Sequence, residues 1–261
     1  MRFDGSRALS TVPTCFDDSD DLPELGKSQK RLKAAQYRLW ASQSRGVLLI
    51  FQGLDASGKD GCIRQLVSAM HPTGARVKAF TVPTELEARH DFLWRAWAHM
   101  PAQGEVALFN RSYYEAVIID QMLSDAATGA EQRLTAIRAL EQHLIDSGTV
   151  VVKFWLHISR EEQRRRLLRR LEDVRRQWKF DPSDIDGWQH RDRYLELVTQ
   201  AMAATSSEAS PWYVLPADDK GLCRRALCAH VADVLEHAAG DYPQLDAPLI
   251  ERYRGILENG E

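Results

Sequence analysis

Residues 47–61 read Val-Leu-Leu-Ile-Phe-Gln-Gly-Leu-Asp-Ala-Ser-Gly-Lys-Asp-Gly, an apolar run that leads directly into a glycine-rich loop. The apolar run predicts a buried β-strand, and Lys59 stands where the next helix should begin. In such a strand–loop–helix unit, backbone N–H groups and a lysine surround phosphate, whereas an ordinary glycine-rich turn would bind nothing. The pattern favours a phosphate-binding P-loop, with contacts from Gly53, Ala56, Ser57, Gly58, Lys59, Asp60 and Gly61.

Two carboxylates accompany this loop. A P-loop lysine is usually followed by serine or threonine, whose hydroxyl binds Mg²⁺, but here Asp60 follows Lys59. Asp55 lies inside the loop itself. Carboxylate oxygens are hard ligands of the kind that Mg²⁺ prefers. We therefore expect the two carboxylates to bind Mg²⁺ in place of the missing hydroxyl.

The composition excludes several classes of protein. The chain has 261 residues, is 44% hydrophobic and carries a net charge of −3, so no general basic field attracts nucleic acid. Residues 1–6 contain no apolar core of a signal peptide, and no apolar run is long enough to cross a membrane. The four cysteines are dispersed and are expected to be reduced. These features predict a cytoplasmic protein without nucleic-acid or membrane partners.

Strand and helix patterns alternate along the chain. Strands are predicted at about 47–52, 76–82, 106–109, 149–158 and 212–216. Besides the helix that follows the loop, helices are predicted at about 23–44, 85–100, 113–124, 131–147, 160–174, 184–205, 221–239 and 249–257. This alternation predicts an α/β fold whose parallel sheet is covered on both faces. We expect residues 1–23 to form a flexible arm and residues 24–261 to form a single domain.

The third predicted strand ends at Asn110 and Arg111. In P-loop proteins, the strand beside the first one ends in an acidic residue that supports Mg²⁺, and Asn110 takes that place here. Strand ends of a parallel sheet meet at one edge, so both residues should lie near the phosphate site. The alternative is a polar strand end in solvent.

Arginine is concentrated between residues 164 and 179, a stretch that contains eight Lys or Arg residues and only two acidic residues. Arg166 and Arg170 are four residues apart and should lie on the same helix face. P-loop kinases carry an arginine-bearing lid after a core strand, and its arginines bind phosphates and offset charge in the transition state. We expect such a lid at about 160–190, with Lys179 as a further phosphate contact. A solvated basic helix is the alternative.

Tyr113 and Tyr114 follow Arg111 directly and are candidates to stack on a nucleotide base. Aromatic residues are more often part of the core.

Several motifs together resemble the polyphosphate kinase 2 family. The matching stretches are Gly-Leu-Asp-Ala-Ser-Gly-Lys-Asp-Gly (53–61), His-Asp-Phe-Leu-Trp-Arg (90–95), Phe-Asn-Arg-Ser-Tyr-Tyr-Glu (109–115), Leu-His-Ile-Ser-Arg-Glu-Glu-Gln (156–163), Gln-Trp-Lys-Phe (177–180) and Ala-Thr-Ser-Ser-Glu-Ala-Ser-Pro-Trp-Tyr-Val-Leu-Pro-Ala-Asp (204–218). Their order and spacing are kept over about residues 25–240, which makes this likeness more specific than the P-loop alone.

The resemblance implies a thymidylate-kinase-like P-loop fold, a three-layer sandwich with a helical lid. It implies transfer of the terminal phosphoryl group of polyphosphate to nucleoside mono- and diphosphates, with Mg²⁺ (or Mn²⁺) and in a homo-oligomer, a tetramer or dimer. The form of residues 110–115 is similar to the subgroup that uses AMP and ADP. By position, the implied catalytic residues are Asp55, Lys59, Arg111, Arg166 and Arg170. Asp55 and Asn110 are the implied metal ligands, and the implied nucleotide contacts are Asn110, Tyr113, Tyr114 and Glu115.

Two other functions fit the same motifs. An ATP-dependent kinase for nucleotides or other small molecules would use the lid for its nucleotide alone. A non-catalytic sensor of nucleotide or polyphosphate would bind without turnover, with Asn110 marking a lost metal site.

Overall fold

The computed structural model describes residues 1–5, 7–17, 21–123 and 129–260, and a sheet of five strands lies at its centre. The strands are β1 (Gly46–Gly53), β2 (Ala75–Ala79), β3 (Val106–Asn110), β4 (Thr149–His157) and β5 (Trp212–Pro216). They are arranged in the order β2-β3-β1-β4-β5, and all neighbours run parallel. The predicted parallel sheet is confirmed.

Helices cover both faces of this sheet. In chain order they are α1 (Leu25–Ser42), α2 (Lys59–Val67), α3 (Glu85–Ala88), α4 (Trp94–Trp97), α5 (Glu115–Leu123), α6 (Ala130–Asp146), α7 (Arg160–Glu172), α8 (Val174–Gln177), α9 (Ser183–Gln189), α10 (Arg191–Thr205), α11 (Lys220–Ala238) and α12 (Ala247–Asn259). Apolar residues of α1, α2 and α11 form one core with the sheet, and those of α5, α6 and α10 form the other. The predicted three-layer α/β sandwich is confirmed.

The central strand β1 explains the long apolar run in the sequence. All eight of its residues are buried, because helices pack on both of its faces. Phe51 pairs with Asn110 of β3, and Gly53 pairs with Leu156 of β4. The carboxyl ends of β1, β3 and β4 therefore meet at the edge where the glycine-rich loop begins.

Two predicted helices are interrupted in the structure. The helix expected over 85–100 is divided into α3 and α4, because the Asp91 carboxylate accepts the Leu93 N–H at 3.0 Å and competes with helical hydrogen bonding. The helix expected over 184–205 is divided into α9 and α10 at His190. Ser124, the predicted end of another helix, lies outside the described residues.

The first residues pack against the sheet, which corrects the prediction of a flexible arm for this part of residues 1–23. The Phe3 N–H donates to the carbonyl oxygen of Trp212 at 2.8 Å, and the Val214 N–H donates to that of Met1 at 2.9 Å. Phe3 and Leu9 are buried in the core beside α10. Their apolar side chains hold the segment in place, whereas residues 18–20 of the predicted arm lie outside the described residues.

Within residues 1–5, 7–17, 21–123 and 129–260, none of the helices combines the length and apolar character needed to cross a membrane.

Candidate active site

The glycine-rich loop joins β1 to the first turn of α2 and has an unusual backbone. Gly58 has a φ of +109° and Ala56 a φ of +64°, both in the left-handed region. A side chain at position 58 would strain this conformation, which explains why glycine stands there. A side chain at Gly53 would come within 2.7 Å of the Ser57 hydroxyl oxygen. The loop therefore curls tightly over the positive end of the α2 dipole, a favourable position for an anion.

The Lys59 side chain turns back into this loop. Its ammonium donates to the carbonyl oxygen of Gly53 at 2.5 Å and to that of Leu54 at 3.2 Å, and the residue is only 8% exposed. Burial lowers the pKa of Lys59, and the carboxylate of Asp55 opposes this effect. A phosphate bound in the loop would compensate the buried positive charge, as the sequence predicted for this lysine.

Asp55 and Arg111 meet across the ends of β1 and β3. The Nη2 atom of Arg111 lies 2.5 Å from Oδ1 of Asp55, and its Nη1 atom lies 4.0 Å from Oε2 of Glu115. Burial raises the pKa of Asp55, but the charges of Lys59, Arg111 and Arg170 outweigh it and hold the pKa below its usual value. Arg111 has a φ of +61°, an uncommon conformation for a non-glycine residue and one that concentrates at functional sites.

Asp60 joins two further predicted residues to the loop. The side-chain amide of Asn110 donates to Oδ1 of Asp60 at 2.8 Å, and Nζ of Lys179 lies 3.4 Å from Oδ2. Burial raises the pKa of Asp60, whereas Asn110 and Lys179 lower it and determine the net direction. The first turn of α2, the end of β3 and the segment between α8 and α9 thus converge.

Helices α7 and α9 bring another charged pair to the same place. Nη1 of Arg170 donates to Oδ2 of Asp184 at 2.8 Å. A side chain at Gly187 would lie 3.8 Å from Oδ2 of Asp55, so α9 lies directly against the loop. No sequence pattern pointed to Asp184, which lies in the first turn of α9.

Arg166 occupies a different position from Arg170, although both project from α7. It is 7% exposed and lies beneath the loop, where its Nη1 atom donates to the carbonyl oxygens of Ala56 and Ser57 at 3.1 and 2.8 Å. Arg170 instead pairs with a carboxylate beside Asp55. The two arginines lie on the same face of α7, but their surroundings differ.

Gln163 ends one of the stretches that resemble the family, but the sequence suggested no role for its side chain. Its side-chain amide donates to the backbone carbonyl oxygen of Asp55 at 3.2 Å and accepts from Arg191 at 2.9 Å. Gln163 is buried and so connects the loop to α10.

Tyr113 and Tyr114 do not line this site. They are 1% and 0% exposed, and their hydroxyl groups donate to Oε1 of Glu141 at 3.0 and 2.8 Å. The same carboxylate also accepts from Lys153 and from Ser210, so the two rings belong to a buried polar network. Their burial argues against the predicted stacking on a nucleotide base, because both rings are already enclosed by protein.

An open cleft of about 450 Å³ runs along α2 beside the loop. Its walls include the apolar side chains of Ile63, Val67 and Val77, and Asp60 and Asn110 line it as well. The cleft places an apolar surface next to charged groups, an arrangement that suits a ligand with a flat apolar part and a charged part.

The donors available for a metal are oxygen atoms. Among the residues that the structure describes, no group of three or more His, Cys, Asp or Glu side chains is arranged to hold a metal ion. The carboxylates of Asp55 and Asp60 and the amide oxygen of Asn110 are hard ligands around one loop. This donor set fits a cation such as Mg²⁺ that keeps several waters and binds phosphate at the same time.

Comparison with known proteins gives a consistent result. The family model described as "Polyphosphate kinase 2 (PPK2)" matches residues 16–243. A relative from Rhodopseudomonas palustris, named ADP-polyphosphate phosphotransferase, is 40% identical over 247 residues, covering 89% of this chain and 86% of the relative. Another from Meiothermus ruber, named AMP/ADP-polyphosphate phosphotransferase, is 40% identical over 225 residues, covering 85% and 84% of the two chains.

Solved structures agree with these relatives. The crystal structure of polyphosphate kinase 2 from Arthrobacter aurescens matches with a TM-score of 0.91 and 33% identity, covering 99% of this chain and 96% of that chain. That of a protein described as putative polyphosphate kinase 2 from Pseudomonas aeruginosa has a TM-score of 0.81 and 29% identity, covering 90% of this chain and 51% of that chain.

Proposed function

This chain belongs to the polyphosphate kinase 2 family, and we propose that it transfers the terminal phosphoryl group of inorganic polyphosphate to nucleoside mono- and diphosphates. AMP would become ADP, and ADP would become ATP, in a reversible reaction. The observation that carries this proposal is the convergence of Lys59, Asp55 and Arg111 at the ends of two adjacent strands. The names of the two relatives at 40% identity support ADP and AMP as acceptors.

The proposed reaction needs alignment and charge stabilisation rather than proton transfer. An oxygen of the nucleotide's terminal phosphate attacks the end phosphorus of polyphosphate and forms a new P–O bond. The bond to the bridging oxygen breaks, and the chain, shorter by one phosphate, leaves with that oxygen. The attacking phosphate is already ionised at neutral pH, so no general base is required. Lys59 and the loop N–H groups would hold phosphate, while Arg111 and Arg170 would offset the charge that shifts during transfer.

A divalent cation is part of this proposal. Asp55 and Asn110 would hold Mg²⁺, with Asp60 beside them and Mn²⁺ able to substitute. When bound, the cation would neutralise phosphate charge. Asp55 suits this role because the charges of Lys59, Arg111 and Arg170 hold its pKa below the usual value and so favour the ionised carboxylate. Residues 160–190, which include α7 to α9, would act as the lid, and Lys179 would contact phosphate from that segment.

A donor comparison tests the proposal and separates it from its alternatives. Purified protein is incubated with Mg²⁺, AMP and either polyphosphate or ATP, and products are resolved over time. We expect polyphosphate to be used, with ADP rising first and ATP later. If ATP is used as the donor and polyphosphate is not, the result would favour an ATP-dependent kinase. Nucleotide binding without turnover would favour a sensor. If ADP accumulates and ATP never forms, the diphosphate is not an acceptor.

The Tyr114→Phe variant checks the burial of the two tyrosines. We expect the KM for the nucleotide to stay within about twofold, because the hydroxyl group lies in the core and not in the site. Loss of its hydrogen bond to Glu141 should lower the free energy of unfolding by about 1–2 kcal/mol. Steady-state kinetics and urea unfolding measure the two effects. A large rise in KM without loss of stability would indicate that Tyr114 contacts the nucleotide.

A further inference from the structure

The guanidinium group of Arg166 has no N–H left for a ligand. An arginine side chain carries five N–H bonds, one on Nε and two on each Nη. In this structure Arg166 makes five hydrogen bonds: Nε to Oε1 of Glu162 at 2.6 Å, Nη1 to the carbonyls of Ala56 and Ser57 at 3.1 and 2.8 Å, and Nη2 to those of Ala217 and Asp218 at 2.6 and 2.9 Å. The side chain is buried, so water does not replace any of these partners.

We propose that Arg166 is a positioning residue that clamps the phosphate loop to the end of β5, and that it does not contact the transferred phosphoryl group. This inference rests on the proposed function for the ligand that the loop holds. To reach a phosphate, the guanidinium would have to give up charge-assisted hydrogen bonds to buried carbonyl oxygens, which would then be unpaired. The role differs from that of a lid arginine, which the sequence implied for this position.

The geometry of the peptide unit explains how the clamp acts. In a trans peptide, the C=O and the following N–H point in opposite directions. Arg166 holds the carbonyl oxygen of Ser57, so the N–H of Gly58 is directed to the side of the loop away from Arg166. A phosphate bound by that N–H therefore lies on the far side of the loop from the guanidinium.

The other half of the clamp is a fixed part of the fold. Ala217 and Asp218 follow directly after β5, whose residues pair with the long strand β4. Glu162, one turn earlier in α7, holds Nε of Arg166. In the loop, Ala56 and Gly58 have left-handed backbone conformations. Hydrogen bonds that fix the loop carbonyls to the sheet stabilise these conformations.

Amide hydrogen exchange of the ligand-free protein tests the clamp independently of activity. In Arg166→Lys, one ammonium cannot span four carbonyls, and we expect loop residues 54–61 to exchange about 10-fold faster. Arg165→Ala is the matched control, because Arg165 shares the partner Glu162 but is 72% exposed. It should leave loop exchange unchanged. Glu162→Gln, which keeps the guanidinium, should accelerate exchange less than Arg166→Lys and serves if that variant does not fold.

Kinetics provide the second readout. In Arg166→Lys, we expect kcat/KM to fall by about 10²-fold, mainly through a higher KM for polyphosphate or the nucleotide, both of which bear phosphate. The reason is that a loosened loop binds the ground state and the transition state less well to the same degree. A loss confined to kcat, or unchanged loop exchange in both Arg166→Lys and Glu162→Gln, would overturn the clamp. If the wild-type protein shows no turnover with polyphosphate, the proposed function fails, and the exchange comparison alone decides the role of Arg166.

Discussion

Replacing Lys59 by methionine is expected to reduce phosphoryl transfer by at least about 10³-fold while the protein remains folded. The ammonium lies inside the phosphate loop, on the carbonyl oxygens of Gly53 and Leu54, where methionine can supply shape but no charge. Burial already disfavours the charged form of this lysine, as the direction of its pKa shows. Its removal should change the free energy of unfolding by only about 1–2 kcal/mol, because Asp55 keeps Arg111 as a charged partner. Turnover with polyphosphate and ADP, and urea unfolding, measure the two quantities.

The control for this variant is a second buried lysine, Lys153, which lies in the core and away from the loop. Lys153→Met should lose stability, yet its folded fraction at low temperature should keep most of its turnover. Lys59→Met should behave in the opposite way. Near-normal turnover in Lys59→Met would remove the phosphate-binding role from this lysine.

Lys153→Met is expected to lower the free energy of unfolding by about 3–5 kcal/mol, which corresponds to a drop of about 6–20 °C in melting temperature. Lys153 on β4 and Glu141 on α6 form an ion pair that is almost fully buried. The ammonium also donates to the carbonyl oxygen of Thr205 at 2.8 Å. Methionine would leave the carboxylate of Glu141 charged and buried. Among the described residues, its remaining hydrogen-bond donors would all be hydroxyl groups. Urea unfolding and a thermal melt measure the loss.

An exposed ion pair provides the matched comparison. Arg193 and Glu196 lie 3.2 Å apart on α10, with side chains 53% and 64% exposed. Arg193→Met should cost less than about 1 kcal/mol, because solvent screens this pair. Adding Glu141→Gln to Lys153→Met should recover part of the stability, since it removes the unpaired charge. Equal costs for Lys153→Met and Arg193→Met would show that burial of the first pair has no energetic consequence.

The fold was predicted well where the chain carries local patterns. The apolar run before the loop predicted β1, and alternating strands and helices predicted a parallel sheet between two helix layers. Local competition caused the misses, as where the Asp91 side chain takes the N–H of Leu93 and interrupts a helix. The N-terminal residues looked polar and loose, yet the buried side chains of Phe3 and Leu9 and backbone hydrogen bonds to β5 hold them on the core.

The candidate site was predicted in part. The rule that parallel strands end at one edge predicted that Asn110 and Arg111 lie near the loop, and the structure places Arg111 against Asp55 and Asn110 against Asp60. Of the basic residues predicted to bind phosphate, Lys179 lies beside Asp60 and Arg170 pairs with Asp184, whereas Arg166 lies beneath the loop; their phosphate contacts stay predictions. No pattern pointed to Asp184. It contacts Arg170 only because α9 folds back over the loop.

The sequence by itself determined the strand, the turn and the helix start around the glycine-rich loop, because these are consecutive residues in the chain. Tertiary structure alone decided which charged and aromatic groups remain available to a ligand. Arg166 and Arg170 share a helix face, but Arg166 bonds to Ala56, 110 residues away in the chain, and is withdrawn from the site. The hydroxyl group of Tyr114 likewise donates to Glu141, 27 residues further along the chain, and its ring is not available to a ligand. Burial and choice of partner depend on such distant contacts, which no local pattern of residues records.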